Sequence, residues 1–286
     1  MKEKFINLKI GNKKYQIVSD DDYLPQMRSG FKSSIVNLIK VLIRKNSFEP
    51  KMVKLFQTLI NDYDLVMDIG ANIGCTSILF GELAEQVISF EPSTTTYNLL
   101  QKNIKQSGLE NIILFNYALG SSNAFSEITY SPDNRSGGFI SNQTKISSGH
   151  VTEKIEIKKL DDIIDDLNIQ KIDFIKIDVE GFEKEVIEGA RSTIERFRPI
   201  IVLELNHWCL NAFQRITIPD FFDYLQSVFP ILYAVEGDSY ADIYNESDRY
   251  KIMYNHIINF KFSNIVAAFE QDQLKSFLAN YHHDMS

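Results

Sequence analysis

Apolar residues in the middle of the chain gather in short runs separated by polar, helix-length stretches. Leu65–Ile69, Gln86–Phe90, Asn111–Asn116, Phe174–Ile177 and Ile200–Leu205 are strand-sized. Helical spacing fills Thr76–Leu83, Thr95–Ser107, Phe182–Arg196 and Pro219–Phe229, with Gly108 placed to end the second of these. Strands this continuously apolar, alternating with helices, predict an α/β fold whose mostly parallel sheet is covered on both faces. Ile231–Val235 and Ile265–Phe269 continue the strand series, and Leu274–Tyr281 reads as a terminal helix.

The rhythm breaks at residues 121–158. Phe125–Tyr130 and Lys154–Ile157 read as strands, and the polar loop between them carries Arg135, Gly137, Gly138 and His150. An excursion of this size after the third strand lies where open-sheet sites lie. Upstream, residues 5–18 alternate as a hairpin turning at Gly11–Asn12. Residues 31–45 and 49–60 read as helices, Pro50 suiting the first turn of the second. Residues 1–63 are therefore expected to form an N-terminal cap or arm with helices, and residues 64–286 the main domain.

Composition removes several classes. Only 13 Gly and 7 Pro occur in 286 residues, against 44% hydrophobic positions, which excludes collagen-like and proline-rich disordered chains. Two cysteines cannot build a disulfide framework. The formal charge of −8 disfavours a nucleic-acid partner. It is uneven: residues 1–67 hold 12 Lys/Arg against 7 Asp/Glu, net +5, and the remainder is net −13. The basic segment would face a phosphate, another subunit or solvent. Met1–Phe5 leads into no apolar signal core, no run approaches the ~20 residues of a membrane span, and free cysteines fit a reducing compartment. The cytoplasm is the expected location.

The sharpest local pattern is Asp68-Ile69-Gly70-Ala71-Asn72-Ile73-Gly74, a strand end, a tight turn and a helix start. Gly70 permits the turn, Gly74 a close approach, and the exposed backbone N–H groups can meet a carboxylate or phosphate. Glu91 ends the next strand, where a carboxylate can accept both hydroxyls of a ribose. These features fit NAD, a nucleotide or S-adenosylmethionine. The middle glycine of a dinucleotide fingerprint is absent, and the Asp68 carboxylate aimed at the site would repel a pyrophosphate and suit an amino group. Both points favour S-adenosylmethionine. Position adds Asn72 beside the turn, Ser93 as a nucleoside contact or a helix cap, and Asn116 to Ala118 along an adenine edge.

These segments, with Phe90-Glu91-Pro92, Ala118-Leu119-Gly120, Leu160-Asp161-Asp162 and Ile175-Lys176-Ile177-Asp178-Val179-Glu180-Gly181 followed by Glu183, resemble the FkbM family of methyltransferases over residues 64–206. The resemblance implies a class I methyltransferase (Rossmann-like) three-layer fold with a mostly parallel seven-stranded sheet and a β-rich insertion after strand three. It also implies S-adenosylmethionine-dependent O-methylation of a sugar, glycan or related natural-product hydroxyl.

Such a transfer needs an in-line acceptor and a group to take its proton. Asp178, at the end of the fourth strand and near the transferred methyl, is the first choice, with His207 and His150 as alternatives. Asp178 could also touch the cofactor, and with Glu204 and Asn206 it could hold a divalent cation. No Cys/His spacing indicates zinc, and Cys75 and Cys209 read as structural. Trp208, Phe213, Tyr233 and Tyr240 are candidate sugar platforms, and Arg135 could meet an anion. Competing readings are a non-catalytic binding or assembly protein of the same fold, an NAD-dependent oxidoreductase, and a methyltransferase with a protein or nucleic-acid acceptor. A homo-oligomer is left open.

Overall fold

The computed structural model describes residues 4–20, 47–141, 143–144 and 148–284. The helix expected at 31–45 lies outside the described residues. The chain opens with the hairpin β1 (Lys4–Ile10) and β2 (Lys13–Ser19), turning at Gly11 and Asn12 as the alternation required. Helix α1 (Pro50–Leu59) follows, with Pro50 in its first turn. Then come β3 (Leu65–Ile69), α2 (Cys75–Leu83), β4 (Gln86–Phe90), α3 (Thr94–Ser107) and β5 (Ile112–Phe115), a strand–helix alternation close to the expected bounds.

The main sheet has nine strands rather than seven. It is completed by β10 (Phe174–Ile177), β11 (Ile200–Glu204), β12 (Ile231–Glu236), β13 (Ser239–Asp242), β14 (Asn264–Ala268) and β15 (His282–His283). The order is β15-β13-β12-β14-β11-β10-β3-β4-β5. The last five in that order run parallel, and β14 is antiparallel to both β11 and β12. The two additional strands cover the edge that β12 would expose. The tight turn at Gly237 and Asp238 folds β13 straight back onto β12.

Alternating side chains fill two cores. Val66, Phe174 and Val202 face one side, where Phe56, Phe80 and Phe174 meet edge to face at 4.8–5.9 Å. Met67, Ile175 and Leu203 face the other, against α5 (Glu183–Gly189), α6 (Arg191–Phe197) and α8 (Ile218–Gln226). Helices α4 (Leu160–Ile163) and α7 (His207–Cys209) are single turns, and α9 (Glu246–Asn259) and α10 (Lys275–Asn280) complete the cover. One helix expected at Phe182–Arg196 is instead the pair α5 and α6. At the break two backbones touch: a Cβ on Gly189 would sit 1.8 Å from the Gly120 carbonyl oxygen, so only glycine fits there.

The insertion is a second sheet, of order β6-β9-β7-β8, built from β6 (Ala118–Leu119), β7 (Ala124–Ser131), β8 (Asn134–Ile140) and β9 (Val151–Lys158). Much of the expected polar loop is β8. Its Gly-rich sequence has little strand propensity, and pairing with β7 and burial of Phe139 and Ile140 supply what the pattern lacks.

One buried side chain ties the N-terminal hairpin to α3 and to the β3–α2 turn. Asn103, 1% exposed on α3, accepts from the Val18 N–H at 2.7 Å and donates to the carbonyls of Val18 and Ile73 at 3.0 and 2.8 Å. The basic character of this region meets acidic partners: Lys13 pairs with Glu82, Lys51 with Glu236 and Lys54 with Asp238. No helix among the described residues is long and apolar enough to cross a membrane.

Replacing Asn103 by leucine keeps its volume and strands three buried backbone groups. Asn103→Leu is expected to destabilise the fold by about 2–4 kcal/mol, read as a lowered midpoint in urea unfolding. A loss below about 0.5 kcal/mol, the ordinary surface value, would show that Asn103 does not fasten the hairpin.

Candidate functional site

Strand order reverses between β3 and β10, and the carboxyl ends of the strands open there into a cleft roofed by the inserted sheet. The β3–α2 turn forms its floor. Gly70 has φ +82°, and a Cβ there would meet the Asp178 carbonyl oxygen at 1.9 Å, so only glycine lets β3 leave the sheet past β10. The N–H groups of Gly70 and Ala71 donate to the Phe90 carbonyl at 3.1 and 3.0 Å. Asn72 is left-handed, and its side chain donates to Ser136 of β8 at 2.8 Å, joining floor to roof. Gly74 faces α3, where a Cβ would lie 2.6 Å from Leu100, and it does not line the cleft.

Beneath the turn lies Lys176, 5% exposed. Its ammonium donates to the Gly70 carbonyl at 3.0 Å and sits 3.3 Å from both Asp68 and Asp178. Burial opposes the charge, but Asp178 and Asp68 together hold the Lys176 pKa above its ordinary value. Asp68, expected to aim its carboxylate into the site, is wholly buried below it, where Lys176 and the Ser77 hydroxyl, 2.6 Å away, engage it. Asp68 pairs with Lys176 in the parallel ladder, so the two side chains share a face and meet beneath the turn.

Glu91 closes the end of β4 at 6% exposure. Its Oε1 accepts from the Ser93 N–H at 2.9 Å and its Oε2 from the Asn72 N–H at 3.0 Å, while burial pushes the carboxyl up to about 7. Ser93 caps α3 by accepting from the Thr96 N–H and donates to Glu153 of β9 at 3.0 Å. Asn116 lies outside the lining and donates to the carbonyls of Glu91 and Pro92, fixing the exit of β4. Ala118 lines an apolar end together with Tyr117, Leu119 and Phe182. Arg135 lies overhead, paired with Asp20 at 2.6 and 2.7 Å and set over the Tyr130 ring.

The opposite end is acidic. Glu49, Asp178, Glu180 and Glu204 line it. Burial, then the neighbouring Asp178, pushes Glu180 up to about 7, and the same causes raise Glu204 well above the usual range. Burial also raises Glu49. Just beneath, Glu183 accepts from the N–H groups of Val179 and Gly181 and is pushed up to about 8 by burial. Glu49 carried no sequence signal, because it reaches the cleft from the start of α1. Glu183 did carry one, a carboxylate two residues after a glycine at a helix start.

The histidines fall elsewhere. His207 packs on His256 and Phe260, and burial lowers its pKa. His150 lines a second hollow beside the cleft, with Trp208 and Phe213. Tyr233 and Tyr240 pack on Phe277 in β12 and β13. Asn206 is engaged as the cap of α7, accepting from the Cys209 N–H at 3.2 Å. Among the described residues no group of three or more His, Cys, Asp or Glu side chains could hold a metal ion. Cys75 and Cys209 are buried thiols, Cys75 being pushed up to about 12 by burial.

Comparison with known proteins places this cleft in context. The family model described as the methyltransferase FkbM domain matches residues 68–234. The hexuronic acid methyltransferase AglP of Haloferax volcanii is 26% identical over 160 residues, covering 56% of this chain and 64% of that protein. The 2-O-methyltransferase NoeI of Sinorhizobium fredii is 27% identical over 173 residues, 54% and 70% of the two chains. A crystal structure of methyltransferase FkbM from Methylobacillus flagellatus aligns over 73% of this chain and 53% of that one, at 19% identity and a TM-score of 0.40, a likeness too loose to carry any argument. The family match spans more than half of the 286 residues and takes in the turn, Glu91, Asp178, Glu180 and Glu204, leaving Glu49 outside it. The chain belongs to the FkbM family of S-adenosylmethionine-dependent methyltransferases.

Proposed function

We propose that the chain transfers a methyl group from S-adenosylmethionine to a hydroxyl of a sugar or glycan. The observation that carries this reading is the division of the cleft. A buried carboxylate at the end of β4, beside an apolar pocket at Ala118, suits a ribose and its adenine. The end lined by Glu49, Asp178, Glu180 and Glu204, with Lys176 as the cation among its lining residues, suits a positive ligand and opposes a pyrophosphate. A sulfonium and an ammonium are such positive groups. The donor set therefore fits S-adenosylmethionine and disfavours a dinucleotide.

When bound, S-adenosylmethionine supplies an electrophilic methyl group. The chain's own work is to orient and to exclude water. Glu91 would accept the ribose hydroxyls, Gly70 and Asn72 would leave backbone room for the amino-acid moiety, and Tyr117, Ala118 and Phe182 would cover the adenine. Lys176 holds Asp178 in place at the methyl end. Similarity to a hexuronic acid methyltransferase and to a 2-O-methyltransferase favours a sugar hydroxyl as acceptor. Radiolabelled methyl transfer into glycan, protein and nucleic-acid fractions separates this acceptor class from the others. Label confined to protein or nucleic acid would refute the sugar assignment.

Glu91→Gln is expected to weaken S-adenosylmethionine binding about 10- to 100-fold, the scale of a charged hydrogen-bond acceptor, by calorimetry. Unchanged affinity would remove Glu91 from the nucleoside site. The acidic wall sets a second expectation. Carboxyls whose folded pKa lies above the unfolded value favour folding while protonated. Their contribution is full below about 4.5 and lost as pH rises through about 7 to 8. Ligand-free protein should therefore melt at a lower temperature at about pH 8 than at about pH 5.5. A cation in the cleft favours the ionised forms, so the melting-point gain from S-adenosylmethionine should grow over the same interval. The gain from S-adenosylhomocysteine, which lacks the sulfonium charge, should grow less. A flat profile for both ligands would contradict the proposed orientation.

A further inference from the structure

Glu180 borders two spaces. One is the cleft described above. The other is a hollow of about 320 Å³, within the roughly 300–1,000 Å³ of small-ligand sites. Trp208, Phe213 and Phe139 give it aromatic walls, and Asn134, Asn206 and His150 supply polar groups. Phe139 and Phe213 stack at 3.7 Å, and Trp208 stands edge-on to Phe213 at 5.2 Å. Trp208 is nevertheless 56% exposed, a large apolar surface turned toward open space. An exposed indole face beside side-chain amides suits a ring with C–H groups on its faces and hydroxyls on its rim.

The Glu180 carboxylate is held unevenly. Its Oε2 accepts from Cys209 Sγ at 3.1 Å and from Asn206 Nδ2 at 3.3 Å, and no described residue donates to Oε1. The backbone there is left-handed, φ +53°, which places the side chain at the junction of the two spaces. Asp178, by contrast, is committed to Lys176.

Resting on the methyl-transfer reading, we propose that the second hollow is the acceptor site, that it takes a neutral pyranose stacked on Trp208, and that Oε1 of Glu180 removes the hydroxyl proton. The acceptor O–H gives its proton to Oε1 and the oxygen lone pair forms the new O–CH₃ bond. The electron pair of the breaking S–CH₃ bond stays on sulfur, which leaves as S-adenosylhomocysteine. Neutrality follows from the walls. Among the described residues no Lys or Arg lines the hollow and Glu180 is the one carboxylate, so a uronate would lie beside a like charge. The charged and titratable groups acting on Glu180 are Asp178, Cys209, Lys176 and Glu204, with His150 in the same hollow. Burial and Asp178 push its carboxyl up to about 7, so proton removal strengthens as pH rises through that value.

Trp208 is the single tryptophan of the chain, so its emission reports on the hollow without reference to activity. Neutral methyl hexopyranosides (glucoside, galactoside, mannoside, rhamnoside) are titrated into protein saturated with S-adenosylhomocysteine, and the methyl glycoside of glucuronic acid is titrated in parallel. At least one neutral glycoside is expected to shift the emission saturably, with the uronate at least about tenfold weaker. Trp208→Ala, followed by saturation-transfer NMR, should weaken that glycoside about five- to tenfold. Glu180→Gln should keep its affinity, abolish the emission transition near pH 7 that a His150→Gln variant retains, and slow single-turnover methylation by about 100-fold or more. If S-adenosylhomocysteine binds and no neutral glycoside perturbs Trp208, or the uronate binds more tightly, the acceptor assignment is overturned. If S-adenosylhomocysteine itself does not bind, the methyl-transfer reading fails first.

Discussion

The site depends on one buried ammonium. Lys176 has three donors, and three acceptors surround it: the Gly70 carbonyl, Asp68 and Asp178. Those groups belong to adjacent parallel strands and to the turn that leaves one of them. The cation therefore fixes the sheet, the turn and the reactive end of the cleft in one arrangement. Asp68 has no exposure at all, and without Lys176 it would be a buried charge with only a hydroxyl for company. Breaking such a pair costs more than the pair itself contributes. The geometry at the cleft is inherited from that requirement.

Around this pair the carboxylates outnumber the cations. Glu49, Glu180, Glu183 and Glu204 are all raised by burial, so the ligand-free protein holds acid groups near neutrality where water would ionise them. The opposite half of the cleft is organised by hydrogen bonds instead. Glu153 on the inserted sheet accepts from Ser93, Thr95 and Tyr130, and Asn72 reaches Ser136. Although burial pushes Glu153 up, those bonds together hold it below the usual carboxylate range. Two carboxylate environments a short distance apart thus take opposite protonation preferences, one suited to holding a scaffold and the other to exchanging a proton.

The parallel strands and the glycine turn were legible because each is decided locally, by apolar continuity and by a backbone angle that few residues tolerate. Features decided by distant contacts were not. Strand β8 passes through Arg135, Ser136, Gly137 and Gly138, which read as a loop until β7 is beside them. The helix break at Gly189 is invisible without the Gly120 carbonyl against it. Strands β13 and β15, which widen the sheet from seven strands to nine, are short and polar. At the site, position at the strand ends singled out Asp178, with Glu204 and Asn206 as partners around a cation, and the family motif carried Glu180. Neither could separate Asp178, tied to Lys176, from Glu180, held by a thiol and an amide. The strand-end position of Asp68 was read as facing the site, and the structure instead buries it beneath the turn against Lys176.

The ion pair between Arg135 and Asp20 has an architectural consequence. Asp20 is where the hairpin ends, and Arg135 fixes that point to the roof of the cleft. Phe48 is moored close by: its N–H donates to the Lys9 carbonyl at 2.8 Å and its side chain lines the same cleft. Both strands of the hairpin are thereby coupled to the rim, β2 through Asp20 and β1 through Lys9. Whatever tilts the hairpin on the sheet therefore reshapes the mouth of the cleft.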